Sequence, residues 1–270
     1  MGKPSSESDS SSPAAHRGAS GRKRLLERHR WLTFLLPLIV FMLVGALEPT
    51  PERAGGAAVG LAIPYTYYPL IYALKIVLTL AAVWFVWPGY REFPFRVSPL
   101  AVAVGVVGVV IWVGLCRLNL EQDYLVPWLK PLGLGGLIEA GARSAFNPLE
   151  ELASSPLYAW GFLAVRFLGL AIVVAVIEEF FLRGFLMRFV VQQDWWNVPI
   201  GRVNVAAVLI GTLVPMAMHP AELLAAAVWF SMVTWLMVRT RNIWDCVAAH
   251  AVTNLLLGIY VVSTGTWHLM

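Results

Sequence analysis

The stretch LYAWGFLAVRFLGLAIVVAVIEEFFLRGFLMRFVV, residues 157–191, decides the fold class. It is longer than the ~20 residues that an α-helix needs to cross the hydrocarbon core of a bilayer. Arg166 and Arg188 lie towards its two ends, and Glu178 and Glu179 lie near its middle. We predict a long membrane-spanning helix in which the two arginines extend towards opposite surfaces.

Six other apolar stretches accompany this one, and together they indicate a helical bundle in a membrane. They lie at residues 31–47, 64–87, 97–117, 203–218, 221–238 and 243–262. The chain is 59% hydrophobic and 13% charged, whereas soluble domains are roughly 25% charged. We predict an all-α, polytopic transmembrane helical bundle of seven to eight spans, the eighth being a shorter amphipathic element within residues 131–152.

The polar segments predict how the chain is divided and oriented. Residues 1–24 are rich in serine and basic residues and predict a disordered tail, whereas residues 25–270 predict a single transmembrane domain with its core at about 157–262. Basic residues precede the first apolar stretch and recur in alternate loops, which favours a cytoplasmic N-terminus and contact with membrane lipids. Because the positive charge is concentrated beside membrane spans, it does not indicate a nucleic-acid partner.

Two adjacent glutamates inside a membrane helix are the strongest functional signal in the chain. Ionisable residues within a bilayer are costly and are by default candidates for function. Arg183 follows Glu179 by four positions, so the two side chains share a helix face and can form an ion pair. Glu178 points about 100° away and is left to address a different cavity. An ion network that only locks helices together is the structural alternative, but such a pair needs one acid rather than two.

Three further polar residues lie within the apolar stretches. His219 precedes Pro220 at a helix end or break, while His250 and Asn254 are four positions apart and share one helix face. At ~1.5 Å per residue, His219 comes out nearer the opposite membrane face than Glu178 or His250, unless a break near Pro215 changes its position.

A glutamate, two histidines and an asparagine allow more than one chemistry. Glu178 can act as a general base that activates water, while His219, His250 and Asn254 can stabilise an oxyanion on a scissile amide. Glu178 and the two histidines are also candidate ligands of a divalent metal such as zinc, although the chain has no His-Glu-x-x-His pair. Buried glutamates and histidines also form proton relays in transporters, which leaves a third alternative open.

These motifs resemble those of the CPBP family of intramembrane proteases, which includes the type II CAAX prenyl endopeptidases. Glu178-Glu179-Phe180-Phe181-Leu182-Arg183 matches the family's Glu-Glu-x-x-x-Arg motif, His219 the second motif and His250-x-x-x-Asn254 the third. The residues before His250, Ile243-Trp244-Asp245-Cys246-Val247-Ala248-Ala249, are similar to the bacterial branch that accompanies exosortase systems. The family often has phenylalanine at the position of Pro215.

The resemblance implies a hydrolase that cleaves a peptide bond of a membrane-associated protein or peptide. It implies that Glu178 activates water, that Glu179 and Arg183 support it, and that His219, His250 and Asn254 complete the site or bind a metal. It further implies an integral protein of the bacterial inner membrane. A catalytically silent scaffold or regulator of the same family is the alternative, and the oligomeric state stays open.

Overall fold

The computed structural model describes residues 21–49, 63–133 and 145–270 of the chain. Over these residues the chain is helical and contains no β-strand. The helices that position the candidate site are α1 Gly21–Arg28, α2 Leu32–Gly45, α3 Tyr68–Tyr90, α4 Pro99–Arg117, α5 Val126–Leu129, α6 Pro148–Glu151, α7 Pro156–Val191, α8 Val205–Met218, α9 Leu223–Thr240 and α10 Ile243–Thr264. Short 3₁₀ or π turns adjoin them at Tyr65–Tyr67, Glu121–Leu125, Lys130–Leu132, Trp195–Asn197, Pro220–Glu222 and Trp267–Leu269.

Each predicted apolar stretch is a helix, which confirms the all-α membrane fold. Five of the described helices, α3, α4, α7, α9 and α10, are long and apolar enough to span a membrane. A sixth span is possible if α1 and α2, which are bent by 94° at their junction, are counted together. The prediction of seven to eight spans is roughly compatible with this number. Helix α8 lies in one of the predicted apolar stretches, but with 14 residues it is too short to be counted among the five.

Two boundary predictions differ from the structure or fall beyond it. Helix α1 begins at Gly21, so the last four residues of the predicted tail, 21–24, are helical, and Leu26 on the same helix is buried. The rest of that tail lies outside the described residues. So does residue range 134–144, which holds the middle of the predicted eighth element.

Helix α7 is irregular on both sides of the glutamate pair. Two wider π-helical turns, Leu168–Val174 and Phe180–Leu186, flank the regular turn Ala175–Glu179. Wider turns of this kind occur often at functional sites because they shift side chains relative to a regular helix. The irregularity of α7 therefore coincides with the predicted centre of function.

Small residues let α4 approach its two neighbours closely. A Cβ atom on Gly105 would lie 2.7 Å from the Ala249 carbonyl oxygen of α10. One on Gly108 would lie 2.5 Å from Nε1 of Trp229 in α9. Glycine at helix contacts is a common device in membranes, where close packing drives association.

The two outer arginines of α7 are covered by protein, which the sequence did not indicate. Arg166 and Arg188 are only 2% and 8% exposed. Arg166 donates to the carbonyls of Phe146 and Met270, at 2.8 and 2.7 Å. Backbone carbonyls that would otherwise need partners hold these guanidinium groups inside the protein.

Candidate active site

One cavity of about 370 Å³ gathers the four predicted catalytic residues. Glu178, His219, His250 and Asn254 all line it, although they come from α7, the end of α8, and α10. Aromatic residues supply much of the remaining wall: Phe41, Tyr68, Tyr72, Trp112, Trp229 and Phe230. A partly enclosed, largely apolar space with a few polar groups is typical of small-molecule and peptide sites.

The two glutamates divide between the cavity and the protein interior. Glu178 is 6% exposed and lines the cavity, whereas Glu179 is fully buried at 0% and does not. Successive residues of a helix point about 100° apart, so adjacent side chains cannot address the same space. The predicted division of the pair is therefore present in the geometry.

Glu179 binds two partners rather than the one that the spacing indicated. Nη1 of Arg183 lies 3.1 Å from its Oε1 and 3.0 Å from its Oε2. In addition, Nδ1 of His250 lies 2.9 Å from Oε1. The carboxylate thus connects the first and third motifs directly, a contact that sequence spacing within one helix could not reveal.

Arg183 extends this network to a third helix. Its Nη2 donates to the carbonyl of Phe230 at 3.1 Å and lies 3.4 Å from Oγ1 of Thr234, both on α9. The guanidinium is 0% exposed. A fully buried charge needs compensation, and here one carboxylate and two neutral acceptors provide it. Glu179 and Arg183 therefore tie α7, α9 and α10 together around the cavity.

The ring of His250 is fixed on its faces as well as at Nδ1. Trp229 packs edge-on against it with ring centroids 4.6 Å apart. Nε1 of Trp229 donates to Oγ1 of Thr253 at 3.0 Å, and Thr253 in turn donates towards the Gly105 carbonyl at 2.9 Å. Because a carboxylate only accepts hydrogen bonds, Nδ1 of His250 carries the proton of this hydrogen bond.

His219 lies at the cavity despite the count that placed it nearer the opposite face. Helix α8 ends at Met218, and the backbone of His219 leaves the helical region at φ −126° and ψ 58°. Its Nδ1 donates to the carbonyl of Pro215 at 2.9 Å. Its ring lies 5.7 Å from that of Trp112 and 5.5 Å from that of Phe230. The chain turns where α8 ends and directs the side chain inwards. The position estimated from a uniform rise of ~1.5 Å per residue did not include this turn.

Asn254 joins the cavity wall to the irregular part of α7. Its Nδ2 donates to the carbonyl of Leu170 at 2.9 Å, within the first wide turn. An amide nitrogen carries two hydrogens, so one N–H remains for another acceptor. Asn254 both supports α7 and presents a polar group to the cavity.

A buried ion pair lines another part of the cavity and was missed by the sequence interpretation. Nζ of Lys75 on α3 lies 2.6 Å from Oε1 of Glu48, just after α2. The ammonium also lies 4.4 Å from the ring centroids of Phe41 and Tyr72. A lone lysine within the apolar stretch 64–87 was the signal that could have identified it.

The candidate metal ligands do not form a metal-binding cluster. Within residues 21–49, 63–133 and 145–270, no three His, Cys, Asp or Glu side chains are grouped so that they could hold a metal ion. The described residues therefore give no support to the zinc site that the sequence left open, and metal binding stays a prediction.

Comparison with known proteins identifies the central part of the chain. Residues 160–256 match the family model "Type II CAAX prenyl endopeptidase Rce1-like". No curated protein and no solved structure gave a match. The matched residues run from α7 to α10 and include all six predicted site residues. The chain is therefore an integral membrane protein whose residues 160–256 are similar to the type II CAAX prenyl endopeptidase Rce1-like family.

Proposed function

We propose that the protein is an intramembrane endopeptidase in which Glu178 activates a water molecule for attack on a peptide bond. One observation carries the proposal: Glu178, His219, His250 and Asn254 converge on a single cavity inside a membrane bundle. Polar residues are kept in such a place at considerable cost, which favours chemistry over packing. The family model supports a peptidase of the CAAX type.

In the first step, the Glu178 carboxylate accepts a proton from water while the water oxygen attacks the carbonyl carbon of the scissile amide. General bases of this kind contribute about 10²–10⁴-fold to rate. His219 assists this step. Because its Nδ1 donates to the Pro215 carbonyl, Nε2 of the neutral ring is an acceptor that can orient the attacking water.

The second step breaks the carbon–nitrogen bond of the tetrahedral intermediate. The oxyanion is stabilised by the second N–H of Asn254 and by Nε2–H of His250 in its protonated form. Glu179, which accepts from Nδ1 of His250, stabilises that imidazolium. The departing amine takes from Glu178 the proton that Glu178 removed from water, and the products are a carboxylic acid and a free amine.

The substrate we propose is a membrane-associated protein or peptide, and a sorted or lipid-anchored bacterial protein is preferred to a prenylated CAAX tail. The aromatic cavity wall supports an apolar peptide segment as ligand. We place the protein in the bacterial inner membrane with its N-terminus in the cytoplasm, because the basic loops follow the positive-inside tendency. The similarity around His250 to the exosortase-associated branch supports the same assignment.

The test compares Glu178→Gln with wild type after purification in detergent, using a panel of membrane-anchored peptides and mass spectrometry of the products. We expect the cleavage rate to fall by about 10²–10⁴-fold. The thermal unfolding temperature should not change, because glutamine keeps the shape of the side chain. Glu150→Gln makes the same change at an exposed site on α6 and should leave the rate unaltered.

Three results would overturn the proposal. If Glu178→Gln cleaves as fast as wild type, Glu178 is not the base. If cells carrying Glu178→Gln keep the protein's function while helix-disrupting variants lose it, the protein is a scaffold. Flux of protons or solutes in peptide-free liposomes that depends on Glu178 would instead identify a transporter.

A further inference from the structure

A second cavity, of about 430 Å³, lies apart from the candidate active site and shares no lining residue with it. It is bounded by α1, the start of α2, the end of α3 and the C-terminal end of α7. Arg188, at its wall, lies ten residues after Glu178, about 15 Å along the helix. Charged residues line it in unusual number: Lys23, Glu27, Arg30, Glu92 and Arg188.

Helix α1 places this cavity at the membrane surface. It meets α2 at 94°, so when α2 crosses the bilayer, α1 lies along the interface. Leu26 on α1 is buried against the bundle, while its basic residues remain exposed or partly exposed. Arg22 lies over the ring of Trp84 at 5.0 Å, and tryptophan is enriched at the headgroup level of membranes. The cavity therefore opens where lipid headgroups are.

Arg188 gives the cavity a buried positive charge. Its guanidinium donates to the carbonyls of Val198, Gly184 and Trp196 at 2.7, 2.7 and 3.1 Å. These use three of its five N–H donors. Among the residues that the structure describes, no carboxylate pairs with it. Carbonyls satisfy hydrogen bonds but do not neutralise the charge, so an anion in the cavity would be stabilised.

The rim adds two more cations and two acids, and their exposure differs from that of Arg188. Arg30 is exposed and lies 5.4 Å from the ring of Trp196. Lys23 lies 3.8 Å from Glu27, and both side chains are more than half exposed. Glu92 is exposed as well. The buried charge is thus positive, whereas both acids lie where water screens them.

We propose that this cavity binds the phosphate of a phospholipid headgroup, with Arg188 beneath it and Arg30 and Lys23 at its rim. Arginine binds phosphate oxygens through paired N–H groups and lysine binds them as a point charge. The surface position of α1 favours a phosphodiester that a lipid carries over a dissolved phosphate ester. Basic pockets between spans are a recognised mode of headgroup binding.

The experiment titrates phosphatidylglycerol into the full-length protein in detergent and counts bound lipids by native mass spectrometry. Arg188→Met also removes three carbonyl bonds and is liable to misfold, so the rim residues are varied instead. We expect Arg30→Gln to weaken the tightest lipid site about 5-fold, and Lys23→Gln/Arg30→Gln about 30-fold. Dissolved glycerol 3-phosphate should compete only weakly, because it lacks the membrane anchor.

Arg24→Gln is the matched control, since Arg24 is an exposed arginine on the same helix that does not line the cavity. It should leave the tightest site unchanged. Equal weakening by Arg24→Gln would show unspecific attraction and overturn the proposal. An unchanged double variant would do the same, and so would glycerol 3-phosphate binding as tightly as the lipid.

Discussion

Replacement of Glu179 by methionine should destabilise the protein severely. The change leaves the guanidinium of Arg183 fully buried without its carboxylate, and it removes the acceptor from Nδ1 of His250. Removing one member of a buried ion pair costs about 3–5 kcal/mol. For a chain of this size, that corresponds to a fall in unfolding temperature of about 6–20 °C. Cleavage should be lost together with stability.

Replacing both ion-pair members should restore stability but not activity. In Glu179→Met/Arg183→Met, apolar side chains of similar volume fill the space, and such exchanges are often neutral or stabilising. The Phe230 carbonyl that Arg183 contacts lies within α9, where helix hydrogen bonding also satisfies it. His250 still lacks the acceptor that fixes its ring, so we expect the cleavage rate to stay far below wild type.

Thermal unfolding in detergent, followed by circular dichroism, measures the change in stability. Cleavage of a membrane-anchored peptide measures the change in activity. Glu150→Met is the matched control, because it makes the same exchange at an exposed position and should change neither. A double variant as unstable as Glu179→Met would refute the ion-pair argument. A double variant with wild-type cleavage would refute the assigned role of Glu179 in orienting His250.

Two further predictions concern the support of His250. Gly108→Ala places a Cβ 2.5 Å from Nε1 of Trp229 and must displace the indole that packs on His250. We expect the free energy of unfolding to fall by about 1–3 kcal/mol and cleavage to become slower. Gly114→Ala on the same helix has nothing within 4 Å and should not destabilise, so equal losses would contradict the packing argument. Thr253→Val leaves the Trp229 N–H without its acceptor and should lower the free energy of unfolding by about 1–3 kcal/mol in the same assay. An unchanged free energy of unfolding would show that this hydrogen bond does not stabilise the protein.

The helices could be predicted from the sequence because hydrophobicity and length alone determine most of them. The stretch predicted at 243–262 is helix Ile243–Thr264, and that at 157–191 is Pro156–Val191. The bend between α1 and α2 could not be predicted in this way. It falls at residues 29–31, which include no proline or glycine, and it depends on α1 packing against the bundle through Leu26.

The members of the candidate site were also identifiable, but not their contacts with each other. Glu178 and His250 stood out because charged and polar groups are rare inside membrane spans. The position of His219 depended on the end of α8, and the position of Lys75 on its pairing with Glu48. Such contacts between helices depend on how each helix is rotated about its axis, which spacing along one helix does not determine.

The glutamate pair divides between a structural role, which the contacts of Glu179 show, and the catalytic role that we propose for Glu178. Glu179 carries the structural part, because its one carboxylate serves Arg183 and His250 and thereby connects three helices. Its side chain is fully buried and does not line the cavity, so it cannot reach a water molecule there. The base catalysis that we propose therefore falls to Glu178, the next residue, which the turn of the helix directs into the cavity. If the pair were only structural, the acid that lines the cavity would be dispensable, and Glu178→Gln would leave cleavage intact.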